Sequence, residues 1–218
     1  VAPSAAGRVL GLDPSLAADL DALLADAVAR KQTQQAVVAV MRRGRLFHVA
    51  TAGGARPDSL FDVASLTKVV ATAPAVMQLV QAGTIGLQDP VAPHLPWLTA
   101  PDKRTITVEQ LLLHTSGLPP VVWAGGDHDT RRQILERIDR APLQAPPGQR
   151  YRYSDVGYIV LGELVARLGG APLQSYVREH LHRPLGMCST GFHPPWKLKR
   201  RIASPWPGGG KQGQVYDP

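Results

Sequence analysis

The run Ser65-Leu66-Thr67-Lys68-Val69-Val70-Ala71-Thr72-Ala73-Pro74-Ala75-Val76-Met77-Gln78-Leu79-Val80 decides how the chain is read. Leu66, Val69, Val70, Ala73, Val76, Met77 and Val80 recur at helical spacing and Gly83 follows as a stop, so the run predicts a helix headed by Ser65. Asp62 or Ser65 is placed to cap its start. In such a helix Ser65 and Lys68 are three residues apart and share a face, with hydroxyl and amine close enough to exchange a proton. The first turn also lies at the positive end of the helix dipole, which favours an oxyanion or alkoxide there. A capping serine beside a solvated lysine fits the same four residues, so the neighbouring sequence must separate the two readings.

Upstream, Asp13 caps a helix, Pro14 suits its first position, and Leu16, Leu20, Leu23, Leu24, Ala27 and Val28 form an apolar stripe ending near Lys31. The period then changes: Ala36 to Met41 and Leu46 to Ala50 predict two strands joined through Arg42-Arg43-Gly44-Arg45 as an antiparallel hairpin. Gly53-Gly54-Ala55-Arg56-Pro57-Asp58 is a loop leading to Phe61-Asp62-Val63-Ala64 and the Ser65 helix. Downstream, proline-punctuated helices dominate. Thr107-Val108-Glu109-Gln110 has the form of a capping box, opening a short helix that ends at His114-Thr115-Ser116-Gly117. Further helices are predicted over 131–139, from Val156 to a stop at Gly169-Gly170, and over 172–182. The chain thus divides into 1–83 (helix, hairpin and nucleophile helix), 84–190 (a mainly helical subdomain) and 191–218 (a loop-rich tail containing Gly208-Gly209-Gly210).

With 218 residues, 44% hydrophobic and 19% charged, the chain has the apolar content for a genuine core, which excludes a disordered polymer. No run reaches the length of an apolar membrane span, and no charged leader with an apolar centre precedes Val1. The first residue is not Met, which suggests removal of an upstream segment. Net charge is +7, but the basic residues are dispersed except for Lys197, Lys199, Arg200 and Arg201, and few aromatics accompany them. The charge is read as solvated surface, and no nucleic-acid partner is expected. The single cysteine, Cys188, has no partner for an internal disulfide and is expected as a small core residue. The histidines His48, His94, His128, His180, His182 and His193 lack metal-ligand spacing, and neither a phosphate loop nor a dinucleotide fingerprint occurs in the required context. Neither metal nor cofactor is expected.

Four ordered motifs then define a resemblance: Ser65-x-x-Lys68; Leu111-Leu-Leu-His114-Thr-Ser-Gly-Leu118; Tyr151-Arg-Tyr153-Ser-Asp155-Val-Gly-Tyr-Ile-Val-Leu-Gly162; and Leu181-His-Arg-Pro-Leu-Gly-Met187. Together they resemble the serine β-lactamase and penicillin-binding-protein superfamily, nearest its class C-like esterases and D-amino-acid or DD-peptidases, over nearly the whole chain. The resemblance implies an α+β fold of the β-lactamase/transpeptidase type, an antiparallel sheet flanked by helices with a helical subdomain. It implies a serine hydrolase acting through an acyl-enzyme on an ester, amide or β-lactam carbonyl, with a small-molecule or cell-wall peptide substrate. A periplasmic or secreted location goes with it.

The same resemblance gives the site as Ser65, Lys68, Tyr153 and Asp155. Ser65 would be the nucleophile, which needs a base within hydrogen-bond reach. Lys68 and Tyr153 are the two candidates. We assign Tyr153 as proton shuttle and Lys68 as its electrostatic partner, since an ammonium favours a neighbouring phenolate, although sequence does not divide the two roles. Their titrations would be coupled. Asp155 stands where class C β-lactamases carry asparagine. A carboxylate donates no N–H and draws Lys68 toward its charged form, which favours the esterase or peptidase branch. Tyr153 also fits a core tyrosine, and Asp155 a helix N-cap before Val156. The resemblance makes His114 a structural residue behind the site, outside any triad. The family's third motif, Lys/His-Thr/Ser/Ala-Gly on a later strand, does not occur before Pro218. That strand supplies one of the two oxyanion donors, and its loss typically lowers rate by ~100 to 1,000-fold. The expectation is therefore a sheet short of its C-terminal strands, with an exposed hairpin edge and an uncovered face on the first helix, and a complementary C-terminal polypeptide as a candidate partner. The alternative is a non-catalytic remnant acting as a binding module.

Overall fold

The computed structural model describes residues 11–13, 15–122 and 129–203. The expected roles of Pro14 and of the glycine run at 208–210 lie outside these residues. The described residues form two compact units, one of those up to Asp62 together with those from His193 onward, the other of Val63–Phe192.

In the first unit, helix α1 (Leu16–Ala29) precedes strands β1 (Ala36–Arg42) and β2 (Arg45–Ala52). Asp13 fixes the entry to α1: its Oδ1 accepts the Ser15 N–H at 2.8 Å, and that bond holds the carboxyl below its usual range. Ser15, not Asp13, occupies the N-cap position. The predicted stripe is narrower than expected, for Ala17 and Leu24 are buried while Leu23 is 60% exposed. Ala17 packs on Phe47 of β2, with Leu12, Leu16 and Val40 around them. The hairpin closes through Arg43 and Gly44, both at positive φ (51° and 72°). Two such residues make the turn whose twist suits paired strands, and glycine adopts this geometry without a Cβ clash. Pairing runs from Ala36 opposite Ala52 to Arg42 opposite Arg45, with an irregularity at Val40/Met41. Among the described residues the sheet has two strands only. Residues 196–201, expected as loop, form a 3-10 turn, after which Ile202 bridges Leu60.

The second unit departs from expectation at its first element. Instead of one α-helix from Ser65, the backbone runs as a 3-10 turn (Ala64–Leu66), a π turn (Lys68–Thr72) and then α2 (Ala73–Gln81). Pro74 explains the change. Proline has no N–H for the carbonyl four residues back, and its ring crowds that carbonyl, so the helix must kink or widen before it. Here it widens, with the Ala73 N–H reaching back five residues to Lys68 O. Neither Asp62 nor Ser65 caps the start: Val63 holds the cap position and no side chain caps it.

Among the described residues the unit continues through two short 3-10 turns (Ala92–His94 and Pro101–Lys103) and the helices α3 (Val108–Leu112), α4 (Arg131–Arg140), α5 (Asp155–Leu168) and α6 (Leu173–Val177), the last continuing as a second π turn, Arg178–His182. The capping box expected at Thr107/Gln110 is present, and a second, unforeseen one joins Thr130 to Gln133. Val76, Ile138, Leu161, Leu164 and Val177 are all wholly inaccessible and form one core with the flanking helices. Cys188 is not in that core. It is exposed, in the turn after Gly186, where no helix or strand carries it inward.

Candidate active site

Ser65, Lys68, Tyr153 and Asp155 all belong to the second unit, and the structure brings Lys68 against each of the other three. The tight 3-10 turn presents Ser65 at the exposed surface, and the π turn begins at Lys68, whose side chain is 13% exposed. Lys68 Nζ donates to Ser65 Oγ at 3.1 Å and to Asp155 Oδ1 at 2.5 Å. It also lies 4.9 Å from the centre of the Tyr153 ring and 5.6 Å from that of Tyr158, within cation–π range of both. Ala64, just before Ser65, has φ of 44°, a conformation uncommon for a residue with a Cβ.

Burial works to lower the Lys68 pKa, but the hydrogen bonds to Asp155 and Tyr153 and their charges outweigh it, leaving Lys68 above its ordinary value. The lysine is therefore an ammonium at neutral pH. An ammonium has three protons to give and no lone pair to accept one.

Asp155 is free for this contact because it is not the cap. Ser154 occupies the N-cap of α5, with its Oγ accepting the Gly157 N–H at 3.1 Å and donating to Pro119 O at 2.7 Å. The sequence offers Asp155 as a cap as well as a site residue; the cap is the neighbouring Ser154, serine being among the preferred N-cap residues. With Ser154 capping, Asp155 becomes the first helical residue, where the helix dipole also favours a carboxylate.

Sequence reasoning also passed over Tyr158. It sits three residues after Asp155 on α5, beneath Lys68, and its hydroxyl donates to Leu112 O at 3.2 Å. The signal was available in the helical spacing of Asp155 and Tyr158. His114, at φ 57°, accepts the Ser154 N–H at Nδ1 (3.0 Å) and packs its ring against Tyr153 and Tyr158 at centroid distances of 4.5 and 5.1 Å. It buttresses the tyrosines, and among the described contacts none joins it to Ser65. Burial, and then the charge of Lys68, hold its pKa below the ordinary 6.5. A depressed histidine binds its proton more readily in the unfolded chain. Its stabilising effect is thus complete above about pH 6.5 and is lost as pH falls through the lower folded value. Thermal unfolding from pH 8 to 4 is expected to show a loss of stability beginning below pH 6.5 that is reduced in His114→Gln. An identical pH dependence in the two chains would contradict this.

The sequence model of the Beta-lactamase family matches residues 20–215. An Escherichia coli (strain K12) protein, named provisionally as a D-alanyl-D-alanine carboxypeptidase, is 34% identical over 181 residues, covering 75% of this chain and 42% of that protein. The N-acetylmuramyl-L-alanine amidase of Bacillus subtilis (strain 168) is 31% identical over 176 residues, covering 73% and 40%. Among solved structures, EstCE1, a hydrolase with promiscuous acyltransferase activity, superposes with a TM-score of 0.75 at 27% identity, covering 87% of this chain and 56% of that one. The D-amino acid amidase of Ochrobactrum anthropi SV3 gives 0.70 at 28% identity, covering 79% and 51%. These matches define a β-lactamase/transpeptidase-like α+β fold. The chain belongs to the Beta-lactamase family, and it spans about two fifths of the length of the curated relatives named here.

Proposed function

We propose that this chain carries the proton-handling half of a serine hydrolase that works through an acyl-enzyme. The observation that carries the reading is the placement of Lys68 Nζ, which donates to both Ser65 Oγ and Asp155 Oδ1 while lying against the Tyr153 ring. A lysine held as ammonium does not take the serine proton, so the base falls to Tyr153. In the proposed cycle Tyr153 enters as a phenolate beside the Lys68 ammonium, and the Ser65 proton passes to its oxygen as Oγ bonds to the carbonyl carbon. Lys68 balances the negative charge, and collapse of the adduct expels the leaving group with that proton. Water then cleaves the Ser65 ester to release the acid.

Within this reading the substrate is an ester or an amide, with cell-wall peptides as one source, in preference to a β-lactam. Relatives named as carboxypeptidase and amidase, and a solved hydrolase with promiscuous acyltransferase activity, support that range. Asp155 supports the preference, because a carboxylate paired with Lys68 donates no hydrogen bond to a substrate amide oxygen.

The test is covalent. Incubation with a fluorescent penicillin and, separately, a p-nitrophenyl ester, followed by intact-mass measurement, is expected to give an acyl adduct with the ester that is absent from Ser65→Ala. No Ser65-dependent adduct with any probe would overturn the hydrolase reading for this chain and leave the non-catalytic binding module in its place.

A further inference from the structure

The π turn after Ser65 leaves a carbonyl to be accounted for. In an α-helix Val70 O would accept the N–H of residue 74, which is proline and has none. A bond reaches this oxygen from a distant part of the chain: His182 Nε2 lies 3.1 Å from Val70 O. Since a carbonyl only accepts, Nε2 carries the proton. His182 is 2% exposed, and its Nδ1 has no partner among the described residues. A phenyl ring would fill this core position without burying an unpaired nitrogen, so the imidazole costs stability except through the bond to Val70.

The surrounding backbone is arranged for the same contact. His182 closes the second π turn, Arg178–His182, and that turn is held from α2 as well, with Gln78 Nε2 donating to His180 O at 2.9 Å. The two ties flank Pro74, one at Val70 and one at Gln78. Two residues before Val70 stands Lys68, whose amine must meet Ser65, Asp155 and Tyr153 together. Displacements of about 1 Å in such a constellation can lower rates by about a hundredfold.

We propose that His182 is a positioning residue for the nucleophile: its Nε2–H stands in for the donor that Pro74 lacks and fixes the π turn carrying Lys68 beside Ser65. The kinetic consequence rests on the serine-hydrolase reading, whereas the structural consequence does not.

The experiment compares His182→Phe, His182→Gln, Pro74→Ala and the Pro74→Ala/His182→Phe double variant in the full 218-residue chain. Hydrogen–deuterium exchange is read over 68–76, with α4 as an internal reference, and Ser65 acylation by a p-nitrophenyl ester is followed in parallel. His182→Phe is expected to speed exchange at 68–76 alone and to slow acylation by about tenfold to a hundredfold with KM unchanged. His182→Gln, which keeps an N–H donor, is expected to recover most of both. In the Pro74→Ala background, where residue 74 regains its N–H, the phenyl ring should be tolerated, giving a clear coupling between the two sites. Unchanged exchange at 68–76 in His182→Phe, a glutamine no better than phenylalanine, or a phenyl variant that fails to fold in both backgrounds overturns the proposal. A parent chain without a Ser65 adduct defeats only the hydrolase reading, since the exchange comparison still decides the role of His182.

Discussion

Lys68→Met is expected to slow acylation of Ser65 by about a hundredfold to a thousandfold, the range for loss of a group that stabilises charge developing in the transition state. Methionine keeps the length and apolar stem of the lysine but removes the charge that meets Ser65 Oγ at 3.1 Å and Asp155 Oδ1 at 2.5 Å. Two effects then act together. The serine loses the cation that offsets negative charge during attack, and the 29% exposed Asp155 carboxylate loses its ion partner. Lys68→Arg separates them, because it retains the charge while changing its reach and geometry. The measurement is the burst rate with a p-nitrophenyl ester beside thermal unfolding of each chain. A methionine variant that acylates within about tenfold of the parent would remove Lys68 from the proposed mechanism.

Asp155→Asn is expected to act mainly through pH. Burial lowers the Lys68 pKa, and the Asp155 hydrogen bond is first among the effects that overturn this and leave it raised. Asparagine keeps the shape without the charge, so the lysine should give up its proton at lower pH. The alkaline limb of kcat/KM should move toward neutrality, while the rate at pH 7 changes less than about tenfold. Stability gives an independent reading. A raised lysine binds its proton more tightly in the folded chain, so its stabilisation is complete below the ordinary 10.5 and is lost as pH rises through the folded value. The parent should lose stability on passing above pH 10.5 by a component that Asp155→Asn lacks. If neither the alkaline limb nor the stability curve moves, the pairing has no functional weight.

Much of this site was legible because its signals are local. Ser65 and Lys68 are one turn apart, the Thr107/Gln110 cap is a four-residue pattern, and Arg43-Gly44 is a turn that names itself. What was misread depends on contacts between distant residues, or on one residue overruling the period around it. Pro74 lies within a run of good helical spacing, and counting apolar positions alone hid its missing N–H. Ser154 and Asp155 are adjacent candidates for one cap, and only the distant Lys68 shows which of them is spared for other work. Cys188 was assigned to the core by its chemistry, yet it sits in a turn with no periodic element to bury it.

The segment carrying Tyr153 and Asp155 is laid against residues 114–120 along its length. Arg152 N–H binds His114 O (2.8 Å), Ser154 N–H binds His114 Nδ1 (3.0 Å), Ser154 Oγ binds Pro119 O (2.7 Å) and Asp155 N–H binds Pro120 O (2.9 Å). The position of Asp155 is thus set by a template some forty residues earlier in the chain. A loop between the two could be lengthened at little entropic cost, since closure grows only with the logarithm of its size. Such a change would alter the surroundings of Ser65 while leaving the Lys68–Asp155 contact in register.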